Sequence, residues 1–196
     1  MTAYTSPPEG VTTIGVDERG PVIPRTFPPA PGWSPTGRRI HAPLEYSRGP
    51  EKVWVYGALR VRDGQATTLT TRSRNTVGYL QLLQAIAAAN PSGELRLISD
   101  NLSSHTSPPL QEWLAANPRV RHVFIPVGAC WLNLQEAWWR IFRRAAFAGQ
   151  TCADGKEIAQ ATAVATKQLN ARAKPWRWGH PQRPPRVLRH SYIYRI

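Results

Sequence analysis

The stretch KVWVYGALRVRDGQATTLTT, residues 52–71, restricts the folds open to this chain more than any other. Residues 52–62 and 65–71 are rich in β-branched and aromatic side chains, and Asp63-Gly64 between them is a turn signal, so the stretch predicts an antiparallel hairpin. The next segment has a different rhythm. Thr76–Ala89 (TVGYLQLLQAIAAA) places Val77, Leu80, Leu83 and Ala87 on one helical face, and Asn90-Pro91-Ser92-Gly93 stops it. Residues 95–98 read as a short buried strand, 107–116 as a helix with Pro108 in its first turn, and 120–125 as a strand closed by Pro126. Residues 131–147 and 157–171 complete the helices. Ahead of the hairpin, residues 11–16 (VTTIGV) form a strand expected to end in a turn at Asp17, Glu18, Arg19 and Gly20. A hairpin succeeded by alternating helices and strands implies an α/β fold, a mixed five-stranded sheet with a parallel part and flanking helices.

A chain of 196 residues suits one core. The expected division is a domain over residues 1–173, carrying a proline-rich loop at 18–51, and a basic aromatic tail at 174–196. The tail alternates cations with rings (Lys174, Trp176, Arg177, Trp178, His180), a pattern that suits phosphate contacts, base stacking or packing of the rings on the domain. Lys and Arg number 25 against 12 Asp and Glu, a formal charge of +13 that favours a polyanionic partner. Cys130 and Cys152 make no metal-ligand spacing, no apolar run reaches the ~18 residues of a membrane span, and the first residues lack the pattern of a signal peptide. The expected place is therefore the cytoplasm, at the nucleoid. Absence of HExxH, Walker A and GxSxG motifs sets aside the usual zinc peptidases, NTPases and serine hydrolases.

Against this basic background three acids stand out by position: Asp17 after the first strand, Asp100 after the fourth (LRLISDN), and Glu136 within WLNLQEAWWRIFRR. Taken singly, Asp100 reads as a turn or cap residue. If the first and fourth strands are neighbours, however, Asp17 and Asp100 share one rim and a helix crossing it can add Glu136. Crowded carboxylates repel, and a hard divalent ion relieves the repulsion. Two such ions about 4 Å apart would serve an in-line displacement at phosphorus. Periodicity alone does not select Glu136, because Trp131, Leu134, Trp138, Ile141, Phe142 and Ala145 form the densest apolar stripe of its helix and Glu136 lies opposite. Arg140 and Arg143 share its face, close to Arg144; a Glu136–Arg140 ion pair is the plainer reading.

The segments GVDERG, LISDNLSSH, IPVGACWLNLQEAWWRIFRR and LNARAKPWRWGH with a final YRI together resemble the DDE-type transposases of the mariner-like superfamily, most closely the bacterial insertion-sequence branch. The resemblance runs from about Thr13 to Ile196. It implies a ribonuclease-H-like fold, dependence on Mg2+ or Mn2+ with two ions, DNA strand cleavage at transposon ends and joining to a TA-rich target. Asp17, Asp100 and Glu136 are then the catalytic metal ligands, with Asn101, His105 and Asn133 accessory to them. Asn101 and His105 would orient a carboxylate or face DNA. A role for His105 in capping the next helix stands equally open, and Asn133 reads as a tie to the sheet rim or as a helix cap. Arg140, Arg143, Arg144, Lys174 and Arg177 are the expected DNA contacts. Only sixteen residues precede Asp17, where such proteins carry helix-turn-helix segments, so a separate upstream helix-turn-helix polypeptide and a homodimer on DNA are the expected partners. The alternatives are a truncated remnant that only binds DNA non-specifically, or a structure-selective nuclease of the same fold.

Overall fold

The computed structural model describes Tyr4, residues 8–24, positions 32, 33, 36, 39 and 40, and residues 51–177. The hairpin is built as its sequence demands. Strands β2 (Val53–Arg60) and β3 (Ala66–Thr71) pair antiparallel. Asp63 Oδ1 accepts from the Gln65 N–H at 3.1 Å and from Arg60 Nε at 3.0 Å, while Gly64 takes a φ of +75°, a conformation that a side chain would strain. Strand β1 (Val11–Val22) lies antiparallel to β2 and, on its other side, parallel to β4 (Glu94–Ser99), which is parallel to β5 (Val120–Phe124). The order across the sheet is β3-β2-β1-β4-β5.

Helices cover both faces. Helices α1 (Thr76–Ala89) and α2 (Pro108–Ala116) bury Tyr79, Leu82, Leu83, Ile86 and Leu110 against Ile14, Val16, Leu95 and Leu97. On the opposite face, α3 (Leu134–Phe147) and α4 (Gly155–Ala171) pack Trp138, Trp139, Phe142, Ala146, Ala165 and Leu169 onto Val55 and Leu59. At about 1.5–3 kcal/mol for each large apolar side chain removed from water, these two layers are what hold the sheet. Side-chain caps set the helix starts: Asn75 Oδ1 accepts from Gly78 N at 2.9 Å, and Asp154 Oδ1 from Glu157 N at 2.8 Å, which begins α4 at Gly155 and not at Glu157.

Three expectations need correction. The turn expected at residues 17–20 is absent; β1 runs on to Val22, because β2 supplies partners from Gly57, opposite Asp17, to Val53, opposite Val22, with an irregularity between Arg19 and Val22. Asp17 thus stands within a strand. In α1 the buried stripe is Tyr79, Leu82, Leu83 and Ile86, and Val77 is exposed. In α3, Gln135, Trp139 and Ala146 face inward while Trp131 and Ile141 are exposed, and the helix begins only at Leu134 after a short 3-10 turn, Cys130–Leu132.

The proline-rich loop falls largely outside the described residues; within it Gly32–Trp33 pairs antiparallel with Arg39–Ile40. The tail beyond Arg177 lies outside them too. Its first residues fold back on the hairpin, where Trp176 N donates to Val61 O at 2.9 Å and the side chain joins the α3–α4 core. No helix among the described residues is long and apolar enough to cross a membrane.

Candidate active site

The site gathers around Asp17 and Glu18, midway along β1. Its parallel ladder with β4 pairs Val11 with Glu94 and Gly15 with Ile98, and two further steps bring Asp17 level with Asp100. Successive strand side chains alternate faces, so Asp17 and Glu18 leave β1 in opposite directions. Asp17 goes to the α3 side and Glu18 to the α1 side.

On the α3 side the helix comes very close to the sheet. A Cβ at Gly15 would meet Asn133 Oδ1 at 3.0 Å, and one at Gly57 would meet both Gln135 Nε2 and the Trp139 ring at 2.5 Å. Asn133 uses its whole amide there: Nδ2 donates to Val16 O at 2.7 Å and Oδ1 accepts from Gln135 N at 3.1 Å, tying α3 to the rim and capping it at once. Trp139 Nε1 donates to Asp17 Oδ2 at 2.9 Å. Asp17, Arg19, Glu136 and Trp139 line a cavity of about 230 Å³. Burial, and then the charges of Glu136 and Glu18, push the Asp17 carboxyl up to about 7. Arg19 is drawn the other way, held below the usual guanidinium value first by burial and then by Arg143.

The α1 side is closed. The Glu18 side chain is only 1% exposed, and Glu18 Oε1 lies 2.7 Å from His105 Nε2. His105 Nδ1 lies 2.9 Å from the Asp100 main-chain carbonyl and 3.1 Å from Asp100 Oδ1. A carbonyl can only accept, so Nδ1 carries a proton and points it there. Burial favours the neutral ring, yet the bonds to Asp100 and Glu18 and the Glu18 charge outweigh it and push His105 up to about 9. Tyr79 stacks on the imidazole at 3.9 Å between centroids, and its hydroxyl lies 2.6 Å from His122 Nε2. Burial, then the charge of His105, holds His122 down at about 4.

Among the described residues, the acids and histidine with ligand atoms mutually within 4.8 Å are Glu18, Asp100 and His105. That trio is poorly suited to a metal, because a doubly protonated imidazole has no lone pair to give and is itself the cation between two acids. Glu18 Oε2 is nevertheless buried without a hydrogen-bond partner. Asp100, 38% exposed, stands at the mouth of this arrangement, held by His105, while Asp17 and Glu136 share the cavity on the α3 side.

The remaining sequence-derived candidates separate by burial. Asn101, Arg140, Arg143, Arg144, Lys174 and Arg177 are exposed, and Glu136 makes no ion pair with Arg140 among the described residues. The His105 side chain, by contrast, is 0% exposed. Glu18, Arg19 and Trp139 did not stand out in the sequence. Strand alternation separates Glu18 from Asp17, and the three-residue spacing puts Trp139 near Glu136, but neither pattern names a partner.

The arrangement can be compared with known proteins. The fold is similar to that in the crystal structure of the Mos1 strand transfer complex, with a TM-score of 0.53 and 13% identity, over 83% of this chain and 52% of that one. The HTLV-2 integrase catalytic core domain in complex with magnesium aligns at a TM-score of 0.49 and 11% identity, over 81% of this chain and 84% of that one. The likeness to the Mos1 complex shows the fold alone, a ribonuclease-H-like mixed five-stranded sheet flanked by helices. Over 91 residues the chain is 31% identical to the insertion element IS630 uncharacterized 39 kDa protein of Shigella sonnei, a match covering 46% of this chain and 26% of that protein. Residues 13–159 match the family described as DDE superfamily endonuclease, and the chain belongs to that family. It spans about half of the Mos1 chain, and the match to the insertion-element protein about a quarter of that protein.

Proposed function

We propose that the chain cleaves DNA strands and transfers them to a target in transposition, with Asp17, Asp100 and Glu136 as the ligands of Mg2+ or Mn2+. The observation that carries this reading is the setting of Asp17. Its carboxyl is buried, shares a cavity with Glu136 and is pushed up to about 7 by burial and neighbouring negative charge. A buried acid among other acids is unfavourable to the fold until a cation joins it. The Asp100 carboxylate, 38% exposed and held by His105 alone among the described residues, keeps acceptor capacity for the same purpose. A bound pair of ions would supply an activated oxygen nucleophile and charge stabilisation at phosphorus.

The chain's own residues support that chemistry. Arg19 lines the cavity with the acids, Arg143 lies near Arg19, and both would draw a phosphodiester there. Arg140, Arg144, Lys174 and Arg177 are exposed and would add contacts to DNA phosphates. The DNA would comprise transposon ends and a TA-rich target, bound by a homodimer with sequence reading supplied by helix-turn-helix segments on another polypeptide, at the nucleoid.

The test is nicking of supercoiled plasmid by the purified chain with Mn2+. Nicks are expected that Asp17→Asn, Asp100→Asn and Glu136→Gln each abolish. Equal nicking by Asp100→Asn contradicts the assignment. DNA binding that survives all three substitutions, without metal-dependent cleavage at any ion concentration, favours a binding-only protein.

A further inference from the structure

Three placements meet at one ring. Asp17 lies across the β1–β2 ladder from Gly57, and the space that a side chain at Gly57 would fill is taken by Trp139. The ring is 1% exposed and braced edge-on by Trp138 and Phe142, with centroids 5.2 and 5.3 Å away. Its N–H ends on Asp17 Oδ2. Because Trp139 comes about one helical turn after Glu136, the seat that fixes the ring also fixes the rotation of α3 that brings Glu136 to the cavity shared with Asp17.

An indole N–H is an unusual choice of partner for a carboxylate at such a site. It donates but cannot accept, and it carries no charge. It therefore orients the acid without competing with a cation for it, as Lys or Arg would. With Oδ2 accepting from the indole, and the Glu18 main-chain N–H also bonded to the carboxyl, the lone pairs that remain favour one-oxygen ligation, through Oδ1. That suits Mg2+, which demands a near-ideal octahedron, better than Ca2+, which readily takes both oxygens of a carboxylate.

We propose that Trp139, seated on Gly57, is a positioning residue for Asp17: its N–H holds Oδ2, leaves Oδ1 to the ion, and so biases the site toward Mg2+ over Ca2+. The proposal rests on reading Asp17 as a metal ligand. Calorimetric titration of the whole chain with Mg2+ and separately with Ca2+ tests it. Trp139→Phe is expected to weaken Mg2+ binding about 10–100-fold, the range typical for losing a hydrogen bond to a metal ligand, and to weaken Ca2+ binding less. Trp138→Phe, in the same aromatic cluster, is expected to change neither. Should Trp139→Phe fail to fold, benzothienylalanine incorporated at position 139 removes the N–H and keeps the ring shape. Unchanged Mg2+ affinity and selectivity in the folded variant, or an equal loss in Trp138→Phe, overturns the positioning role alone. A wild-type chain that binds neither ion overturns the metal reading beneath it.

Discussion

Asp17 and Glu18 are neighbours on one strand and live in opposite worlds. Asp17 faces a cavity shared with Glu136, receives only neutral N–H groups, from Trp139 and the Glu18 main chain, and is pushed up toward about 7. Glu18 is sealed against His105, whose ring is pushed up to about 9. One acid is left without a compensating cation and the other has one built in. The strand pleat produces the difference by sending consecutive side chains to opposite faces, so a two-residue acidic motif turns one carboxylate to the cavity and the other into an ion pair.

Removing charge should therefore have opposite consequences at the two positions. Glu18→Gln leaves a buried imidazolium without its counter-ion and is expected to destabilise the fold by about 3–5 kcal/mol in urea denaturation at neutral pH. Asp17→Asn, by contrast, is expected to raise the stability of the metal-free chain by up to about 4 kcal/mol at about pH 8, while abolishing nicking. The sign comes from the direction of the shift. Folded Asp17 keeps its proton up to about 7 whereas the unfolded group loses it near 3.8, so stability falls as pH rises through that window and the amide removes the loss. Equal signs for the two substitutions would break the comparison.

His105 gives a smaller and separable effect. Its stabilising contribution is complete below its unfolded value of 6.5 and is lost as pH rises through about 9. The wild-type melting temperature is expected to drop across that interval, and Glu18→Gln to flatten the drop. Gly57→Ala sharpens the other side: its methyl would overlap the Trp139 ring and Gln135, costing about 1–3 kcal/mol through overpacking and moving α3 away from Asp17. The smallest change is expected from Arg143→Ala, which should weaken plasmid binding modestly and reduce the slope of log affinity against log salt by about 1.

The sequence exposed the architecture more readily than the contacts. The Asp63-Gly64 turn and the alternation of helix and strand arise from local chemistry and packing rules, whereas the neighbouring of β1 and β4 enters the sequence reading only as a condition, which the sheet order meets. Asp17, Asp100 and Glu136 stand out by position, and their reading as ligands comes through resemblance, since the apolar stripe of α3 alone would pass over Glu136. The features that escaped depend on partners distant along the chain. Asp17-Glu18-Arg19-Gly20 looks like a turn locally, and only pairing with β2 keeps it a strand. The rotation of α3 is set by Gly15 and Gly57, two absent side chains on different strands that let Gln135 and Trp139 settle on the sheet. The meeting of Glu18 with His105 spans 87 positions, and no local pattern encodes it.

Anomalous diffraction from crystals soaked in Mn2+ tests the assignment of the ligands most directly. Manganese is expected between Asp17 and Glu136, with the Asp100 carboxylate turned from His105 toward it and the Glu18–His105 pair intact. Manganese seated on Glu18 and His105, or a carboxylate pair at Asp17 and Glu136 that stays empty at saturating metal, would contradict it.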